Sequence, residues 1–121
     1  MGFSATSRQA EEIDWSEVED SAVNTAVTAT HAAEAGNRHY AVGFEAVVSG
    51  ADLGNDVNIE LLEGVTVRWR TKLGSGLPRG ERSGVVFPRP IKMGVAQGAI
   101  LTADAGGAGV IITLNLGGYT L

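Results

Sequence analysis

The sequence predicts an all-β fold: an antiparallel β-sandwich of jelly-roll-like type, with about seven or eight short strands, preceded by an N-terminal arm. Three observations indicate it. Apolar and polar residues alternate over several short runs, as in strands with one buried face. Turns separate these runs at roughly the 8–12 residue spacing of a sandwich. The 121 residues include 17 Gly, 3 Pro and only 6% aromatic residues, which suits one all-β domain with many turns.

Residues 1–20 are predicted to form an acidic arm, extended or partly helical, ahead of a domain at residues 21–121. The arm holds six acidic residues and one basic residue, whereas the rest of the chain is neutral. We therefore expect no nucleic-acid binding, because phosphate binding needs a cationic surface. The arm suits docking on a basic protein surface, and the alternative is a solvated tail.

Apolar residues of the arm are its candidate contacts with a partner protein. Trp15 is the strongest of them, because aromatic anchors contribute much of the binding energy at interfaces. The alternative is that Trp15 folds back onto its own sandwich. The predicted partner-binding residues are Phe3, Ile13, Trp15 and Val18.

Three alternating or β-branched runs predict the first strands of the sandwich. They cover residues 23–30, 38–48 and 57–61, with turn-forming residues between them. In the second run one face is apolar and is expected to be buried: Tyr40, Val42, Phe44, Ala46 and Val48.

The fourth run, residues 65–73, alternates most regularly. Its apolar face includes Trp69, which we expect at the centre of the core because of its large area. The opposite face is a basic stripe of Arg68, Arg70 and Lys72. The stripe is either solvated and paired with Glu60 and other acids, or an interface that accepts the acidic arm of a neighbouring subunit.

Residues 74–84 form a glycine-rich segment that is predicted to be an exposed loop. Arg79 and Arg82 are its candidate binding residues. The segment is not a phosphate-binding loop, because no Lys-Ser or Lys-Thr pair follows its last glycine.

The last part of the chain predicts one short strand and a closing strand–turn–strand unit. The short strand begins at residue 85 and is expected to stop at Pro88, at a sheet edge or a corner. The closing unit consists of residues 98–104 and 110–116. The apolar end of the chain, with Tyr119 and Leu121, is expected to be tied into the sheet or an interface.

Residues for catalysis or metal binding are not recognisable in the sequence. His31 and His39 are eight residues apart, which matches no metal-binding pattern, and the chain has no cysteine. No nucleophile with a base and an orienting acid stands out, and no carboxylates are paired for a cleft. We therefore expect a non-enzymatic protein without cofactor or metal. No run reaches the ~18 apolar residues of a membrane span, so no membrane partner is expected.

Four segments and the order of elements suggest a family. The segments are residues 24–31, 32–39, 85–90 and 115–121. Together they resemble small bacteriophage virion structural proteins, in which a polar N-terminal segment precedes a compact β-sandwich. This resemblance covers most of residues 22–121 and rests on strand and turn patterns.

The resemblance implies a component of the virion, assembled in the host cytoplasm: a capsid decoration protein above all, or a head fibre or tail appendage. Its partner would be the major capsid protein or another virion protein, and it would self-associate, with a trimer favoured. Symmetric assembly would also cover exposed sheet edges. Deletion of residues 1–20 should then leave a folded domain that no longer binds particles. The alternative is a tail appendage or a receptor- or carbohydrate-binding module that uses the loop at residues 74–84.

Overall fold

The computed structural model describes residues 13–121. These residues form eight β-strands, and no helix among them is long and apolar enough to cross a membrane. The strands are β1 (Trp15–Asp20), β2 (Val27–His31), β3 (His39–Ser49), β4 (Val57–Glu63), β5 (Thr66–Leu73), β6 (Arg82–Lys92), β7 (Ala99–Ala103) and β8 (Ile111–Thr120).

The strands form two four-stranded antiparallel sheets that pack face to face. Sheet A has the order β1-β8-β3-β6, and sheet B has the order β2-β7-β4-β5. Only β4 and β5 are neighbours both in sequence and in a sheet. Eight strands arranged in this way make a jelly roll, which confirms the predicted fold class.

The core lies between the sheets and consists of the inward-facing residues of each strand. In β8 the alternation predicted from the sequence is observed, since Ile112, Leu114 and Leu116 are fully buried. Sheet B contributes the other side of the core with residues of β4 and β7, including Ile59, Leu61 and Leu101, which are also fully buried. The outward-facing residues between them are exposed or half-buried, as expected of antiparallel sheets with one solvated face.

The second half of the predicted arm is not an arm in the structure but part of the sandwich. Trp15–Asp20 is the edge strand β1 of sheet A, paired with β8 from Trp15↔Gly118 to Asp20↔Thr113. Its polar sequence hides the strand pattern, because β1 buries little besides Trp15. The sandwich therefore begins at Trp15 instead of residue 21, and residues 1–12 of the predicted arm lie outside the described residues.

The closing strand–turn–strand unit is not a hairpin. Its first strand, β7, belongs to sheet B, and its second strand, β8, belongs to sheet A. The intervening segment crosses from one sheet to the other and is tightly packed, since a Cβ on Gly106 would lie 3.0 Å from Leu53 Cδ1. Each strand has one apolar face. In a hairpin the two strands would be neighbours in one sheet, whereas here their apolar faces contribute to the core from opposite sheets.

Bulges change the predicted facing of residues in two strands. In β3 the register shifts between Ala41 and Gly43, so Tyr40 lies on the outer face and His39 on the buried one. In β5 Arg68 is the extra residue, because Leu61 pairs with Trp69 and the next residue of β4, Leu62, pairs with Val67. Each bulge adds one residue to a strand and thereby exchanges the two faces beyond it.

The predicted inward face of β5 is buried only at its second half. Val65 is 94% exposed and Val67 is also exposed, because they precede the β5 bulge at Arg68, which exchanges the two faces of the chain. Trp69 is half-buried at the side of the core instead of at its centre. It packs there against Phe44 and Phe87, with ring centroids 5.3 and 5.4 Å away.

The prolines do not end the strand that precedes them. Among the described strands, β6 is an eleven-residue edge strand that pairs with β3 alone, and this pairing is interrupted at residues 87–90, where Pro88 and Pro90 lie. An edge strand tolerates proline because one row of its N–H groups needs no partner. The sheet-edge position predicted from these prolines is therefore observed, and the predicted stop at Pro88 is not.

Candidate functional site

An open groove of about 380 Å³ lies on the outer face of sheet A. Side chains of Ile13, Val42 and Val86 contribute apolar walls, and Gly43 and Gly117 lie among the lining residues. The groove thus crosses all four strands of the sheet, from the segment before β1 to β6.

Glycine accounts for the depth of the groove. At Gly43, in the bulge of β3, a Cβ would lie 2.5 Å from the carbonyl oxygen of Val85, so this position excludes any side chain. At Gly117 a Cβ would fit, with Ile13 Cγ2 as its nearest neighbour at 3.7 Å. Backbone without side chains therefore forms the middle of the groove, which leaves space for a ligand.

Polar groups line the same groove. Glu45 and Asn115 are directly paired across β3 and β8, and Ser16 lies on β1. Arg82 on β6 holds the Glu45 carboxylate, with its Nη1 3.4 Å from Oε2. A carboxylate, an amide and a hydroxyl therefore stand beside apolar walls, and together they offer both hydrogen-bond donors and acceptors.

Two tyrosines extend this row along the outer face. Tyr40 and Tyr119 are paired across β3 and β8, and their rings stack with centroids 4.8 Å apart. Along β8, Tyr119, Gly117 and Asn115 share one face because side chains alternate in a strand. The aromatic pair therefore lies one step beyond the groove.

The predicted partner-binding residues of the arm separate into different environments. Phe3 lies outside the described residues. Ile13 is exposed and forms a wall of the groove, and Val18 is exposed on the outer face of β1. Trp15 points inward instead, stacked on His31 with ring centroids 4.0 Å apart. The alternative in which Trp15 packs on its own sandwich is the one observed.

The basic stripe on β5 is partly paired within the chain. Arg68 Nη1 donates to Glu63 Oε1 at 2.5 Å and to the carbonyl of Lys92, and Arg70 Nε donates to Glu60 Oε2 at 2.6 Å. Lys72 is exposed. The pairing of the stripe with Glu60 and another acid is thus observed, and a role as an interface stays a prediction.

The other predicted binding residues also lie at the surface. Arg79 is exposed in the loop between β5 and β6, and its backbone N–H donates to Asp52 Oδ1 at 3.0 Å. Arg82 is the first residue of β6. The backbone of Leu121 pairs with that of Arg38 in both directions, at 2.8 and 3.0 Å, while its side chain is exposed.

The groove residues Ser16, Gly43, Glu45 and Asn115 are not indicated by any local motif. They come from three strands that are distant in sequence, and each looks like an ordinary outward-facing or turn-forming residue. One signal is present, because a glycine inside a strand pattern, such as Gly43, indicates a bulge or a close approach.

Comparison with known proteins identifies no family for this chain. No family model matches the chain, and no curated protein matches it. Among solved structures, the CBM36-1 domain of a multidomain xylanase from the hindgut metagenome of Trinervitermes trinervoides is similar. It has 13% sequence identity and a TM-score of 0.41, over 79% of this chain and 73% of that one. A TM-score this low transfers neither ligand nor activity to this chain.

Proposed function

We propose that this chain is a non-enzymatic binding module of the receptor- or carbohydrate-binding kind, and that its ligand lies in the groove on sheet A. The groove itself is the observation that supports this function. Its volume of about 380 Å³ is within the range of small-molecule sites, which are apolar clefts with a few well-placed polar groups. The loop at residues 74–84, in contrast, offers charges without a cleft.

A polyhydroxylated ligand such as a glycan fits the chemistry of the groove. Its hydroxyl groups would bond to the Glu45 carboxylate and the Asn115 amide, and its C–H faces would contact Ile13 and Val86. Binding of this kind needs a polar group for each buried hydroxyl, because an unpaired buried hydroxyl costs free energy. The stacked tyrosines add aromatic surface on the same face, which the loop at residues 74–84 lacks.

Filling the groove is expected to abolish glycan binding without unfolding the protein. In Gly117→Val the added side chain occupies the middle of the groove, where a Cβ meets only ordinary contacts. Screening on a glycan array followed by calorimetry should show at least a tenfold loss of affinity for the best ligand.

The matched control is Gly74→Val in the β5–β6 loop, where a Cβ meets nothing within 4 Å. This variant should bind like the unmodified protein, whereas Arg79→Ala tests the loop site directly. An array without hits, or full affinity in folded Gly117→Val, would refute the groove as a glycan site.

The second candidate is the capsid decoration protein, and exposed apolar residues at one side of the sandwich favour it. The edge strands β5 and β6 lie on the same side, since Trp69 and Phe87 meet there. Val65 is 94% exposed and Val67 is 41% exposed at the start of β5. Contact with a shell or with further copies would cover this apolar surface.

Replacing two exposed valines tests this candidate. The double variant Val65→Ser, Val67→Ser is expected to lose self-association, measured by light scattering, and binding to purified particles that lack the protein. Val23→Ser, at an exposed site between β1 and β2, is the control and should keep both properties. The decoration function would be excluded if the unmodified protein were monomeric and did not bind to purified virus particles that lack it.

A further inference from the structure

Three aromatic rings meet on the side of the sandwich where β1 of sheet A faces β2 of sheet B. His31 stacks on Trp15, and His39 meets His31 edge-on with ring centroids 4.5 Å apart. His31 is the last residue of β2 and His39 the first of β3, so the segment between them forms a short connection from sheet B to sheet A. Glu34 lies in this segment.

We propose that His31, Glu34 and His39 bind a divalent transition-metal ion, with Zn²⁺ as the ion that this ligand set favours. One ligand atom of each residue lies within 4.8 Å of those of the other two. Two imidazoles and one carboxylate are a common ligand set of zinc sites that keep a fourth position open. Neither the glycan groove nor the apolar β5–β6 side includes these residues.

His31 is oriented as a ligand. Its Nδ1 lies 2.7 Å from Glu17 Oε2, so Nδ1–H donates to this carboxylate and Nε2 keeps its lone pair. Nε2 faces Glu34, with Oε1 4.0 Å away. A carboxylate that fixes the far nitrogen of a histidine is the usual second partner of metal-binding imidazoles.

Glu34 directs one carboxylate oxygen, Oε1, toward Nε2 of His31. Asn37 Nδ2 donates to Glu34 Oε2 at 3.2 Å, which leaves Oε1 directed toward His31. Two ligands on one tetrahedral zinc are about 3.3 Å apart, given bonds of roughly 2.0–2.1 Å. The distance of 4.0 Å between His31 Nε2 and Glu34 Oε1 therefore needs to shorten only slightly, and Glu34 is exposed, so its side chain has room to move.

His39 supplies the third ligand through a change of tautomer. It is 1% exposed, with Nδ1 2.7 Å from Thr120 Oγ1 and Nε2 2.7 Å from the carbonyl oxygen of Ala32. In the neutral ring Nε2–H donates to Ala32, and Nδ1 accepts from the Thr120 hydroxyl. The Nε2 side faces the segment that holds Glu34.

The Thr120 hydroxyl can form a hydrogen bond with Nδ1 of His39 in either tautomer of the ring. It accepts a hydrogen bond from Trp15 Nε1 at 3.2 Å and still has a lone pair and a proton to offer. When the ring proton moves from Nε2 to Nδ1, Thr120 accepts from Nδ1–H, and the Nε2 lone pair becomes available to the ion. The Ala32 carbonyl oxygen, which lies 2.7 Å from Nε2, loses its donor and has to turn away to make room for the ion. No net proton is released from His39 in this exchange.

Calorimetric titration of the untagged full-length protein with Zn²⁺ alone tests the proposal. We expect one ion per chain and a melting temperature that rises by about 10 °C at saturating zinc, because the ion binds only the folded state. With Co²⁺ the protein should show the visible absorption of a four-coordinate site.

Variants identify the ligands. His31→Gln and Glu34→Gln should each weaken zinc binding at least tenfold, and Glu17→Gln should weaken it about 10- to 100-fold by releasing the His31 ring. Glu81→Gln, at an exposed glutamate of the β5–β6 loop, is the control and should leave binding unchanged. Absence of stoichiometric binding, or binding that survives in both folded ligand variants, would overturn the site.

Discussion

A chain that begins at residue 21 is expected not to fold stably, although the sequence suggests that it contains the whole domain. The deletion removes β1 and exposes the edge of β8 along six registered pairs. It also removes Trp15, whose ring stacks on His31 and lies edge-on to His39. Truncation of a fully buried tryptophan costs about 3–5 kcal/mol, and the partly buried Trp15 contributes a share of this. Domains of this kind are stable by only about 5–15 kcal/mol.

The matched control is a chain that begins at residue 13. It keeps β1, the hydrogen bond from Asp14 N–H to the carbonyl of Gly118 and every other contact of the described residues. Thermal unfolding followed by circular dichroism should give a cooperative transition for this chain and none, or a much lower melting temperature, for the shorter one. Equal stability of both chains would show that β1 is dispensable.

Gly118→Ala is expected to destabilise the protein by on the order of 3 kcal/mol, the upper end of the cost of overpacking. Gly118 is paired with Trp15 and faces inward. A Cβ there would collide with the carbonyl oxygen of Tyr40 and with the indole ring of Trp15. Since the obstacle includes backbone, β1 or β3 would have to move. Urea denaturation should show a lower midpoint.

Gly117→Ala is the control on the neighbouring residue. Neither glycine has a positive φ, so alanine is compatible with the backbone at both positions. At Gly117 the new Cβ points outward and meets only ordinary contacts with Ile13 and the backbone of Trp15. Its effect should stay within about 0.5 kcal/mol. Equal destabilisation by both variants would mean that strand entropy, and not the contact with Trp15, sets the cost.

Local patterns were sufficient for the strands that bury one clear face. The alternation of β8 predicts its buried residues, and composition with turn spacing predicts an all-β sandwich of about the right number of strands. In β1 no such pattern exists, because an edge strand with Glu17, Glu19 and Asp20 at the surface has little apolar area to reveal it. The one residue of β1 that indicates burial is Trp15, for which the sequence leaves two possibilities: contact with a partner protein or packing on its own sandwich.

The candidate sites could not be predicted in the same way. The groove depends on the bulge at Gly43, which turns Tyr40 outward and places Glu45 opposite Asn115. The proposed metal ligands His31 and His39 are eight residues apart, which matches no metal-binding pattern. They meet because β2 and β3 belong to opposite sheets and the connection between them spans the side of the sandwich.

The sequence by itself determined the fold class, because the period of two between apolar residues is a local property that each strand carries alone. The tertiary structure decided which strands are neighbours, which bulges shift the register and which distant side chains share a surface. These depend on contacts between segments up to 105 residues apart, such as the hydrogen bond from Trp15 to Thr120, and such contacts leave no periodic trace in the chain.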